Sequence, residues 1–118
     1  MRAKLKGLHS PDIDDLEHWS PDSDSFGFLL QAMIGPADGS GHESFDLIVC
    51  TSDWFADHEM AEAPIRSGHH TLFVKRYDYR MLKAFIERAV HAVEADSWSG
   101  VAEKLSWLGN WEFANYRP

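Results

Sequence analysis

The feature that most limits the folds open to this chain lies in residues 26–34, where every second side chain, from Phe26 to Ile34, is apolar and falls on one face of an extended chain. This period of two predicts a β-strand with one buried face. Residues 43–51 show the same period and form the next predicted strand. Only eight residues separate the two runs, and the first seven of them, residues 35–41, contain three glycines and one proline. Because this link is short and rich in turn-forming residues, we predict an antiparallel hairpin.

Further strands and helices are predicted on both sides of the hairpin. Residues 1–9 and 71–77 have the pattern of strands, and residues 110–118 are aromatic enough to predict a tail that folds back or pairs as an edge strand. Helices are predicted over residues 54–63, 79–95 and 98–108. Asp78 is the expected N-cap of the second helix, whose apolar stripe includes Leu82, Phe85 and Ile86, and Asp96 or Ser97 is the expected cap of the third. Strand patterns come first and helices last, so the sequence favours an α+β fold: an antiparallel sheet of about four strands with two to three helices packed on one face. At 118 residues, we expect one domain over residues 1–118.

Charge is distributed unevenly along the chain. Residues 7–65 hold thirteen Asp and Glu and no Lys or Arg, whereas the other residues hold six acids and eleven bases. If the acids of residues 7–65 share a face, they create a strong negative field that attracts a basic partner. The alternative is that Lys and Arg from later in the chain fold back and neutralise them. The sequence leaves both arrangements open.

The acids fall into two candidate docking groups. The first lies in a loop over residues 10–25, which is bounded by two Ser-Pro-Asp turns and carries a tryptophan among its carboxylates. Its members are Asp12, Asp14, Asp15, Glu17, Trp19, Asp22 and Asp24. The second group surrounds the helix predicted over residues 54–63, where Trp54 and Phe55 add aromatic area. Its members are Asp53, Asp57, Glu59 and Glu62. Aromatic anchors among carboxylates are typical of a surface that binds a basic protein. We expect the other tryptophans, Trp98, Trp107 and Trp111, to lie in the core.

The sequence gives little support to catalysis, metal binding or nucleic-acid binding. No His-Glu-x-x-His motif or paired cysteines occur, and His69 and His70, as neighbours in a strand, would point to opposite faces. We therefore predict no metal and no cofactor. No nucleophile motif is present, and a net charge of −8 repels phosphate. We predict that the chain is not an enzyme and binds neither nucleic acid nor membrane.

The cellular compartment is predicted from the cysteine content and from the lack of long apolar runs. Cys50 is the only cysteine and has no partner for an internal disulfide, a pattern that fits a reducing compartment. No stretch approaches the roughly 20 apolar residues that a membrane span needs. We therefore expect a cytoplasmic protein in which Cys50 is a small core residue.

Four segments in this order resemble the immunity protein 8 family of bacterial polymorphic toxin systems. They are Leu8-His-Ser-Pro-Asp-Ile13, Phe28-Leu-Leu-Gln-Ala-Met-Ile-Gly-Pro36, Glu43-Ser-Phe-Asp46 with Val49-Cys-Thr51, and Trp111-Glu-Phe-x-x-Tyr116. The resemblance implies a protein encoded beside a secreted toxin, whose C-terminal domain it binds in order to protect the producing cell. It also implies inhibition by stoichiometric occlusion. It implies no particular binding residues.

The chemistry of the toxin and the oligomeric state stay open at this point. Many toxin domains attack nucleic acids through basic clefts, and an acidic protein imitates the phosphate backbone there, so a nuclease is one candidate target. The main alternative function is a non-enzymatic adaptor module or a homodimeric ligand-binding domain that pairs through a sheet edge. A hydrolase that uses clustered carboxylates is a third reading, which requires those groups to lie in a cleft.

Overall fold

The computed structural model describes residues 1–114 of the chain. Its strands are β1 (Ala3–His9), β2 (Gly27–Pro36), β3 (Glu43–Cys50), β4 (Thr71–Phe73) and β5 (Asn110–Trp111). Its helices are α1 (Ser52–Trp54), which continues as a π-helical segment (Phe55–Glu59), α2 (Tyr79–His91) and α3 (Trp98–Lys104). The predicted α+β class is confirmed.

The sheet is built around the predicted hairpin. Strands β2 and β3 pair antiparallel from Gly27–Cys50 to Ile34–Glu43, and β1 pairs antiparallel with β2 on the other side. The far edge of β3 is shared by β4, which runs parallel to it, and by β5, which runs antiparallel. The chain therefore forms a five-stranded sheet that is antiparallel except for the pair β3–β4.

The core lies on the face of the sheet that the alternation predicted to be apolar. Phe28, Leu30, Ala32 and Ile34 on β2 are all at most 4% exposed. Their partners on β3 are Phe45, Leu47 and Val49, and α2 and α3 cover this face with Leu82, Ile86, Val90, Val101 and Ala102. Burial of this apolar area is the main force that holds helices and sheet together.

The short helix α1 lies against the other face of the sheet. A Cβ built on Gly27, which follows the inward-facing Phe26, would lie 2.3 Å from the ring of Trp54. Only glycine leaves room for this close approach. The π-helical segment places Phe55 in edge-to-face contact with Phe73. Cys50, which pairs with Phe73 in the sheet, is fully buried, as predicted.

Helix starts were predicted better than helix ends. The Asp78 carboxylate accepts a hydrogen bond from the Met81 N–H at 3.1 Å, so this predicted cap is confirmed. Ser97 caps α3 in the same way through the Gly100 N–H. Helix α2 ends at His91 instead of residue 95. The helix predicted over residues 54–63 starts earlier, at Ser52, and becomes a π-helical segment that ends at Glu59.

Several other expectations need correction. Strand β4 ends at Phe73, short of residue 77, and Trp107 is 54% exposed instead of buried. The rings of His69 and His70 do not point to opposite faces; their centroids are 3.6 Å apart, because these residues form a turn before β4. The tail pairs with β3 through Asn110 and Trp111, and residues 115–118 lie outside the described residues.

Candidate functional site

The segment that carries the first acidic group, residues 10–25, is called the acidic loop below. It is attached to the core through three apolar residues spaced three apart: Ile13 and Leu16 are buried, and Trp19 is half-buried. This spacing turns the three side chains to one side of the irregular backbone. The residues between them therefore face outward.

Trp19 fixes the acidic loop against an aromatic cluster. Its ring makes edge-to-face contacts with Phe26, Phe28 and Tyr77 at centroid distances of 5.6, 5.3 and 4.8 Å. The Tyr77 hydroxyl donates a hydrogen bond to the Leu16 carbonyl, and burial raises the pKa of Tyr77 to about 12. Edge-to-face pairs add stabilisation beyond the area they bury. Much of the Trp19 ring is therefore used inside the protein.

Four carboxylates of the acidic loop point to solvent. Asp14, Glu17, Asp22 and Asp24 are exposed, and within residues 1–114 their side chains make no hydrogen bond or ion pair. Charges without a counter-ion on a fixed segment produce a field that an approaching cation experiences before contact. These four carboxylates are the part of the acidic loop that is available to a partner.

Two other acids of the loop have local partners. Asp12 Oδ2 accepts a hydrogen bond of 2.9 Å from the Leu29 N–H, beyond the point where β1 ends. Asp15 Oδ2 lies 2.9 Å from His18 Nδ1, and this contact lowers the pKa of Asp15 and raises the pKa of His18. Both acids are exposed, but Asp12 extends the sheet and Asp15 stabilises a local turn.

Asp53, from the second acidic group, lies next to the end of the acidic loop. Its carboxylate accepts hydrogen bonds from Thr51 Oγ1 at 2.6 Å and from the Trp54 N–H at 2.9 Å, and the bond from Thr51 is the main reason that its pKa is lowered. Asp24 and Asp53 line one surface depression together with Lys75. The fold therefore brings members of the two groups together here.

The other members of the second group lie on or after the π-helical segment. Asp57 and Glu62 are exposed, whereas Glu59 forms an ion pair of 3.3 Å with Arg66. Glu59 is the only one of the thirteen acids in residues 7–65 that pairs with a Lys or Arg within the described part of the chain. The alternative in which later bases neutralise these acids is therefore realised at Glu59 alone among the described residues.

Sequence reasoning missed an apolar groove between α2 and the segment 72–77, called the β4–α2 groove below. Its volume is about 290 Å³, and Leu72, Val74 and Leu82 line it. Met81 and Phe85 also line it and are 61% and 38% exposed. The sequence placed Phe85 on the buried stripe of α2. The available signal was that Met81 and Phe85, four residues apart, lie together on one flank of that stripe.

The described residues contain neither a metal-binding group of side chains nor a thiol that is ionised near neutral pH. Among residues 1–114, no three His, Cys, Asp or Glu side chains are grouped to hold a metal ion. Burial raises the pKa of the Cys50 thiol to about 11, so near neutral pH this sulfur is protonated. Within the same residues no helix has the length and apolar character to cross a membrane.

Comparisons with known proteins give one finding. The family model described as "Immunity protein 8" matches residues 3–116 of the 118-residue chain. No curated protein and no solved structure matches the chain.

Proposed function

The chain belongs to the immunity protein 8 family, and from this premise we propose that it binds and neutralises the C-terminal domain of a cognate toxin. Neutralisation is stoichiometric: one immunity protein covers the functional surface of one toxin domain. Residues 1–118 act as one domain in this role, in the cytoplasm of the producing cell. Binding needs no cofactor and no turnover.

One observation carries the choice of docking surface. The acidic loop is fixed to the core by Ile13, Leu16 and Trp19, while Asp14, Glu17, Asp22 and Asp24 point outward without a cationic partner among the described residues. A fixed loop loses little conformational entropy on binding, and unpaired carboxylates speed association with a basic surface. We propose these four acids as the centre of electrostatic recognition.

The remaining candidates have smaller roles in this proposal. Asp53 extends the surface, because it shares a depression with Asp24, and the exposed Asp57 and Glu62 form its margin. Asp12, Asp15 and Trp19 mainly hold the loop in shape, since each already has a partner within the protein. Glu59 contributes less negative charge because Arg66 neutralises it.

The charge of this surface suggests a target class. Carboxylates on a fixed loop resemble a row of phosphates, so the toxin surface that they cover is basic. We propose that the target is a nuclease whose nucleic-acid cleft is blocked by the acidic loop. The immunity protein itself is not catalytic in this proposal.

Co-expression tests the proposed function directly. The C-terminal toxin domain encoded by the neighbouring gene is expressed in a bacterial host with and without this chain, and growth is measured. We expect the chain to restore growth and to form a one-to-one complex with a catalytically inactive form of the toxin domain. Absence of both rescue and complex would overturn the proposed function. A rescued toxin that has no nuclease activity would overturn only the assignment of the target class.

A further inference from the structure

The acidic loop alone makes an incomplete protein interface. A tight interface combines a few apolar anchors, which lose their water on binding, with a polar rim. The apolar residues of the loop face the wrong way for this purpose, because Ile13 and Leu16 are buried and Trp19 packs on three aromatic rings. The apolar part of the contact must therefore lie elsewhere on the molecule.

The β4–α2 groove has the properties that the loop lacks. It is lined mainly by apolar side chains, and its volume of about 290 Å³ is sufficient for one or two bulky side chains. Met81 and Phe85 contribute apolar area that remains exposed in the free protein. Clustered exposed apolar residues around a concave site are typical of a surface that binds a partner.

The groove is also continuous with the acidic surface. Phe73, Val74 and Lys75 line both the β4–α2 groove and the depression that holds Asp24 and Asp53. A single extended segment can therefore occupy both, with one residue in the groove and a neighbouring residue against the two carboxylates.

We propose that the β4–α2 groove receives a bulky apolar side chain of the toxin, carried by a segment that also places a Lys or Arg against Asp24 and Asp53. This inference rests on the proposed function and adds the chemistry of the partner segment. Lys75 and Arg76 line the groove and have no ion pair within residues 1–114. The toxin residue that faces Arg76 in the groove is therefore acidic, because a cation there would be repelled, whereas in the neighbouring depression the two carboxylates of Asp24 and Asp53 outnumber Lys75 and favour a cation.

Kinetics of binding to the purified, catalytically inactive toxin domain test the groove. The double variant Met81→Ala with Phe85→Ala removes the exposed apolar area, and we expect its dissociation rate to rise about tenfold or more while its association rate changes little. The matched control is Ile65→Ala, because Ile65 is 90% exposed and does not line the groove. We expect the control to behave as the unmodified protein.

The possible results separate the two proposals. If the unmodified chain binds the toxin domain and the double variant dissociates at the same rate, the groove is not the anchor site, although the proposed function stands. If the unmodified chain does not bind, the proposed function itself fails.

Met81→Ala alone serves as a second variant in case Phe85→Ala unfolds the chain. An unchanged dissociation rate for this folded variant counts against the inference. If the groove instead holds a second copy of this chain, sedimentation shows a dimer that the double variant abolishes, which also overturns the inference.

Discussion

Glu43 and the outward acids of the acidic loop come from the same base-free half of the chain, but the fold uses them in opposite ways. Glu43 is the first residue of β3 and pairs with the buried Ile34, so its side chain lies on the inward face of the sheet. Its Oε1 accepts hydrogen bonds from the indole N–H of Trp98 and, at 3.1 Å, from that of Trp111. One carboxylate thus connects β3 to α3 and to β5. The carboxylates of Asp14 and Glu17 make no hydrogen bond or ion pair within the described residues.

The difference shows that local backbone geometry decides what an acid does in this protein. In a strand the side chain alternates between faces, so Glu43 is turned inward and meets two donors. In the acidic loop the buried residues recur every third position, and the acids between them are turned to solvent. We expect the first kind of acid to contribute to stability and the second kind to contribute to binding.

The largest expected effect on stability comes from Glu43→Ala. This change leaves the indole N–H groups of Trp98 and Trp111 without their acceptor in a half-buried site, so we expect the free energy of unfolding to fall by about 2 kcal/mol. Urea unfolding followed by tryptophan fluorescence measures it. Glu43→Gln keeps an acceptor oxygen and is expected to lose less than half as much. A loss below about 0.5 kcal/mol in the alanine variant would show that Glu43 is not a structural acid.

The second prediction concerns Asp14→Lys combined with Glu17→Lys. Reversing these outward charges weakens electrostatic steering, so we expect association with the inactive toxin domain to slow about tenfold at low salt and to depend less on salt. The free energy of unfolding is expected to change by less than about 0.5 kcal/mol, as for most surface substitutions.

A matched control for this variant is Glu87→Lys with Glu103→Lys. These two residues are exposed, lie outside the acid-rich half and change the net charge by the same amount. If both double variants slow association equally, the effect arises from net charge and the acidic loop has no special role.

Asp12 has a property of each kind of acid, because it is exposed but accepts a hydrogen bond within the protein. It therefore tests whether the two kinds can be separated. Removing its hydrogen bond with the Leu29 N–H by Asp12→Ala is expected to cost about 1 kcal/mol of stability, measured by thermal or urea unfolding. We expect little change in the association rate beyond that caused by the loss of one charge. If the unfolding midpoint equals that of the unmodified chain and association is slower than the loss of one charge explains, Asp12 is a docking acid.

The smallest expected effect is on the titration of His18. Its contact with Asp15 raises the pKa of His18 above 6.5 and lowers that of Asp15 below 3.8. Stabilisation from His18 is complete below pH 6.5 and is lost as the pH rises through its raised pKa. Stabilisation from Asp15 is present above pH 3.8 and is lost as the pH falls through its lowered pKa. The contact is therefore strongest between about pH 4 and 6.5.

NMR titration of the histidine ring measures this effect. We expect His18 to titrate above 6.5 in the unmodified chain and to move back toward that value in Asp15→Asn. Asp14→Asn removes a neighbouring charge without touching the contact and serves as the control. A His18 pKa that is the same in the Asp15 variant and the unmodified chain would contradict the hydrogen bond.

Much of the fold follows from local sequence signals. The hairpin of β2 and β3 was predicted because alternation over residues 26–34 and 43–51 is long and is interrupted only by glycine-rich turn residues, one of which, Gly41, has a φ of 88°. Helix α2 was predicted from its apolar stripe and from Asp78. The short β4 and the π-helical segment were misjudged, because their limits depend on packing against β3 and against the outer face of the sheet.

The candidate site was predictable only in part. Composition revealed that residues 7–65 are acidic, and the Ser-Pro-Asp turns marked the acidic loop. The sequence did not distinguish Asp12 and Asp15, whose carboxylates have hydrogen-bond partners, from Asp14 and Glu17, whose carboxylates have none among residues 1–114. Nor did it reveal the β4–α2 groove, which residues 72–85 form together with Val49 of β3, the residue that pairs with Leu72.

The sequence by itself determined the α+β class, the central hairpin, the start of α2 and the excess of carboxylates in the first half of the chain. These features depend on periods, turns and charges that neighbouring residues define. Tertiary structure alone decided which carboxylates remain free, that Glu43 joins two tryptophans, and that Phe85 borders a groove instead of lying in the core. The reason is physical: hydrogen-bond partners and burial depend on residues distant in sequence, whose proximity arises only when the sheet and helices pack.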